Sequence, residues 1–88
     1  MKKQYHPTKL KGNGSLKKLA REITNLRYDQ TASFIEELAD SFRRRAERDS
    51  KRHRPMLALR LYDISDKLYE AKDDANKAWK ICRPYMKG

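Results

Sequence analysis

Helix breakers are scarce in this chain of 88 residues: Pro7, Gly12 and Gly14 lie near its start, Pro84 and Gly88 near its end, and Pro55 stands alone between. Two long stretches free of turn-forming residues follow from that punctuation. Cysteine is almost missing as well. Cys82 alone excludes an internal disulfide, and with it the stapled scaffold of a small secreted domain, so the default setting is cytoplasmic. Long apolar runs are also missing: the longest is Met56-Leu57-Ala58-Leu59, far short of the ~20 residues that span a bilayer. Lys2 and Lys3 precede no apolar stretch of the kind an export signal needs, so neither export nor a membrane partner is expected.

The residues of catalysis are equally thin. No Gly-rich phosphate loop, HExxH, GxSxG or CxxC occurs, and His6, His53 and Cys82 stand in three separate segments without metal-ligand spacing. Cys82 falls on an apolar helical stripe and reads as a small buried hydrophobe. The adjacent carboxylates Glu36-Glu37 and Asp73-Asp74 point about 100° apart on a helix and cannot share a substrate. They read as solvated acids, with pairs such as Glu70 to Lys67 and Asp73 to Lys77. No enzyme, metal, cofactor or small-molecule substrate is therefore expected. Aromatic residues make up only 9% of the chain. Tyr5 and Tyr85 lie in the ends beside lysines and are candidates for stacking on bases, whereas Tyr62, Tyr69 and Trp79 read as packing residues at the edge of a core.

What the sequence has in excess is positive charge and helical periodicity. Lys and Arg number 22 against 12 Asp and Glu, a net +10 that draws anionic partners. Hydrophobic residues make up 38%, so any core is thin. Residues 1 to 14 have no sustained period and read as a basic flexible arm, closed by Gly-Asn-Gly and then Ser15 as an N-cap. Leu16, Leu19, Ala20, Ile23 and Leu26 recur at helical spacing, predicting a first helix over about 15–27. The polar stretch 25 to 33 predicts a bend, with Asp29 or Thr31 as the next N-cap and Ser33 with Glu36 as a capping box; one unbroken helix from Leu16 to about Arg52 is the competing reading.

A second helix over about 30–52 carries Phe34, Ile35, Leu38, Ala39, Phe42 and Ala46 on one face and ends before Pro55, which opens a third helix over about 55–83, followed by a tail at 84–88. In the third helix Leu57, Leu61, Ile64, Leu68, Ala71, Ala75, Ala78 and Cys82 alternate spacings of four and three, the pattern of a coiled-coil seam. Its first half is large and its second half small. The small half is expected to receive the first helix or a second subunit, with Tyr28, Phe34 and Trp79 as fillers nearby. The fold class predicted is all-α: a long antiparallel helical hairpin with a shorter N-terminal helix, a three-helix arrangement with the option of dimerising into a larger bundle.

Charge is distributed unevenly along that hairpin. Residues 1 to 28 carry +7, 29 to 42 carry −4, 43 to 54 carry +5, 55 to 74 carry −2 and 75 to 88 carry +4. A fold-back near residues 51 to 54 gathers the acids into a waist and leaves both ends basic, with roughly 30 Å between the poles at 1.5 Å per helical residue. Arg43, Arg44, Arg45, Arg48, Lys51, Arg52 and Arg54 form the turn pole. The arm (Lys2, Lys3, Lys9, Lys11), the first helix (Lys17, Lys18, Arg21) and Lys77, Lys80, Arg83 and Lys87 are assigned to the other. Arginines spread around a helix suit phosphate contacts better than the reading of base edges. The expectation is a non-enzymatic module that binds RNA or DNA through phosphates; the alternative is a protein-interaction or assembly module, including a homodimer, that uses the seam and its charge complementarity.

Overall fold

A computed structural model describes residues 6 to 12 and 14 to 85, so the expectations on Lys2, Lys3, Tyr5 and Lys87 lie outside the described residues. The chain is all-α, with helices α1 (Leu16–Thr24), α2 (Tyr28–Lys51) and α3 (Pro55–Cys82), the last running into a single 3-10 turn, Arg83–Tyr85. Ser15 caps α1, its hydroxyl accepting from the Lys18 N–H at 3.0 Å. Gly12, at φ +98°, takes the left-handed backbone that glycine adopts at least cost.

The bend after α1 is present but lies earlier than the capping residues suggested. α2 begins at Tyr28 with Arg27 in the N-cap position, and no side chain caps it. Asp29 instead occupies the first turn and takes two hydrogen bonds from the Arg27 guanidinium, at 3.0 and 2.7 Å, where a carboxylate also complements the helix dipole. Thr31 donates to the Ile23 carbonyl of α1 at 2.8 Å, which ties the corner together. Ser33 bonds back to the Asp29 carbonyl, so the expected capping box with Glu36 does not form.

α2 and α3 form the antiparallel hairpin, and its contact row is not the one that large hydrophobes mark. Ala32, Ala39 and Ala46 of α2, spaced by seven, are buried, as are Ala58 and Ser65 of α3. The Ser65 hydroxyl donates to the Ala39 carbonyl at 2.9 Å, a cross-helix bond that requires two small residues face to face. The predicted seam of α3 is displaced by one residue: Leu57 and Ile64 remain 45% and 39% exposed, while their neighbours Ala58 and Ser65 face α2. A row of alanines admits only small partners at close range, so the bulky residues splay sideways. α1 packs on α2, and no Cα of α1 comes within 8 Å of a Cα of α3. The small half of α3 therefore receives no first helix, contrary to one of the two expectations for it.

Counted at about 100° per residue from the buried row, Ile35, Phe42, Leu38 and Phe34 of α2 fan toward the same broad side of the hairpin as Leu61, Leu68, Leu57 and Ile64 of α3. The opposite side is polar: Tyr69 donates a short hydrogen bond to Asp40 across the helices. That bond, more than burial, raises the Tyr69 pKa above its ordinary value. Lys72 bridges from α3 to Glu36 at 3.4 Å and also meets Asp73 at 3.3 Å. Lys77 pairs with Asp74 at 3.9 Å. The expected Asp73 to Lys77 and Glu70 to Lys67 pairs are absent among the described residues, because a long lysine on an exposed face selects among several nearby acids.

Candidate nucleic-acid interface

The cationic end of the hairpin is shaped by how α2 stops. The Arg54 N–H reaches the Asp49 carbonyl at 2.9 Å and the His53 N–H reaches Ser50 at 3.2 Å. These are the two bonds of a Schellman motif, which places the residue between them in the left-handed region. That residue is His53, at φ +60°, a conformation glycine holds more cheaply. Pro55 then fixes the first turn of α3, as its ring geometry suits. The Arg54 to Asp49 ion pair at 3.7 Å joins the two sides of this corner.

All seven cations of the predicted turn pole gather here and are exposed. Two acids stand among them, and each is engaged by one arginine: Glu47 by Arg43 at 3.7 Å, and Asp49, with a side chain only 17% exposed, by Arg54. Arg44 donates to the Ser41 hydroxyl at 3.2 Å. Among the described residues Arg44, Arg45, Arg48, Lys51 and Arg52 meet no carboxylate within 4 Å. Arg44, Arg45, Arg48 and Lys51 line one shallow depression with Ser41 and Glu47, and Arg45, Arg48, Arg52 and Arg54 line a second with Asp49, Leu57 and His6. Arg45 and Arg48 belong to both, so the two depressions form one continuous basic surface.

His6 in that depression changes the assignment of the poles. α1 turns back along α2 toward the hairpin tip, and the described part of the arm reaches the tip itself. Lys17, Lys18 and Arg21 are exposed on the outer face of α1, beside residues 31 to 35 of α2, not at the far end. The sequence could not show this, because the direction of α1 depends on the corner at residues 25 to 27. The far end keeps Lys77, Lys80 and Arg83, and adds Arg27, whose guanidinium lies 5.0 Å over the Trp79 ring. Trp79 thus packs as expected, but through a cation–π contact that residue types alone did not reveal.

The acidic waist is present. Ser65 meets Ala39, Tyr69 meets Asp40 and Lys72 meets Glu36, so residues 35 to 42 lie against residues 61 to 72. Tyr62 and Tyr69 are half-buried on the polar side, and Tyr85 is exposed. Among the described residues no group of three His, Cys, Asp or Glu side chains is placed to hold a metal ion, and no helix is long and apolar enough to cross a membrane. No protein-family model, curated protein or solved structure matches the chain.

Proposed function

We propose that the chain is a non-enzymatic module that binds RNA or DNA through its phosphates, with the tip of the hairpin as the principal contact and a cytoplasmic setting as its place of action. The observation that carries this reading is the set of five cations without a carboxylate partner on the last turns and C-cap of α2. One or two cations already complement the dipole of a helix end, so five without a carboxylate partner exceed what that role needs. Arg45, Arg48 and Arg52 are the primary contacts, Arg43, Arg44, Lys51 and Arg54 the adjoining ones, and Lys17, Lys18 and Arg21 a flanking patch for a bound strand that continues along α1. Exposed guanidiniums on several sides of one helix end read the backbone and confer little base preference.

Fluorescence titration of single- and double-stranded oligonucleotides at two ionic strengths tests the proposal. If about five phosphates are engaged, log K falls with log salt at a slope near −4.5 on a duplex. Absence of binding at low salt removes the reading. The assembly reading is favoured by a separate observation, the uncovered apolar side of the hairpin.

A further inference from the structure

The chain hides little of its hydrophobic surface. Its radius of gyration is 16.2 Å, against about 12 Å for a compact chain of this length. Its accessible surface is 7928 Å², whereas a folded monomer of 10.5 kDa exposes about 5,400 Å². The surplus, about 2,500 Å², is of the size that one partner of an obligate dimer buries. Much of the apolar part of it faces one way: Leu38, Leu57 and Ile64 lie open on the side where α1 packs along Thr31, Phe34 and Ile35 of α2, and Phe34 itself stays 37% exposed. α1 and α3 flank α2 without approaching each other, which leaves a trough where a fourth helix would stand. Helical layers are stable when such a face is covered by another layer.

We propose that a second copy of this chain occupies that trough, running antiparallel to the first about a two-fold axis. The large-then-small division of the α3 stripe selects this occupant and this direction. An axis passing between Leu68 and Ala71 lays Leu57 over Cys82, Leu61 over Ala78, Ile64 over Ala75 and Leu68 over Ala71 of the other copy. Every large side chain then meets a small one, and the same holds in reverse, as an isologous interface requires. A parallel pairing stacks large on large at one end and leaves gaps at the other, which costs stability at both. Charge agrees: Lys67 of one copy comes near Asp74 of the other along the outer edge. The arrangement puts the two basic tips at opposite ends of the dimer.

The test is made without nucleic acid, so its outcome is independent of the phosphate reading. Sedimentation equilibrium of the full chain at micromolar concentration should give twice the chain mass, with a melting temperature that rises with concentration. Ile64→Glu, which alters a side chain already exposed in the single hairpin, should weaken association by about 100-fold or more by burying a charge. Leu57→Cys should form an intermolecular disulfide with Cys82 on mild oxidation, and this readout does not depend on how well the glutamate variant folds. A chain that stays monomeric at hundreds of micromolar overturns the proposal. So does a disulfide dimer through Cys82 to Cys82 with no 57 to 82 product, which would report parallel packing. A monomer that binds anionic phospholipid vesicles overturns it too, by showing that the apolar side serves a lipid surface.

Discussion

At the waist of the hairpin Glu36 is met by Lys72 and Asp40 by Tyr69, whereas a few turns further along the same helix Arg45 and Arg48 meet no carboxylate at all. Both regions are built on one heptad of alanines, Ala32, Ala39 and Ala46, so backbone packing does not distinguish them. The difference lies in what flanks the row. Around Ala39 the flanking polar groups reach across to α3 and close on each other. Around Ala46 the flanking arginines Arg44, Arg45 and Arg48 are exposed and no acid of α3 reaches them. Charge at the waist is paired across the two helices, whereas charge at the tip is left open to solvent.

The largest expected effect breaks the tip. Replacing Arg45, Arg48 and Arg52 together with Gln should weaken oligonucleotide binding on the order of several hundred-fold at about 0.1 M salt, since each lost phosphate contact removes close to one unit of salt slope. Circular dichroism should be unchanged, because these side chains make no ion pair in the fold. The waist is broken differently. Ala39→Leu places a large side chain where the accessible surface is zero and opposite the Ser65 hydroxyl, so chemical denaturation should show a loss of about 1–3 kcal/mol.

Smaller effects sharpen the same contrast. His53→Gly relieves a left-handed residue at the tip and should stabilise the chain by roughly 1 kcal/mol, a rise of several degrees in the melting temperature, while leaving affinity for nucleic acid nearly intact. At the far end the Arg27 hydrogen bonds hold the Asp29 carboxyl below the ordinary carboxylate range. A group whose pKa is depressed by folding contributes stability above its unfolded value, about 4, and loses it as pH falls through the folded one. Fluorescence of Trp79, which lies under Arg27, should therefore change in acid below that value, and Asp29→Asn should abolish the transition.

Much of this architecture was legible from periodicity and punctuation. Pro55 marked the start of α3, Ser15 capped α1, and the fold-back placed the acids in a waist as the block charges required. The contact row was not legible from hydrophobicity. Leu57 and Ile64 outweigh Ala58 and Ser65 on any apolar scale, yet close backbone approach depends on small size, and the signal for it was the seven-residue spacing of alanines in α2. The N-cap of α2 was missed because Asp29 binds Arg27 instead of a backbone N–H. The tip residues were found from their charge run, whereas the return of the arm toward them depends on a corner whose angle is set by tertiary contacts such as Thr31 to Ile23.

Phosphate binding at the tip is tested most directly by the salt dependence of duplex binding by the wild-type chain and by the Arg45, Arg48, Arg52 variant measured side by side. The slope of log K against log salt should be near −4.5 for the first and about −1.8 for the second. Equal slopes for the two would contradict it, because the open charge at the tip would then not be what holds the phosphates.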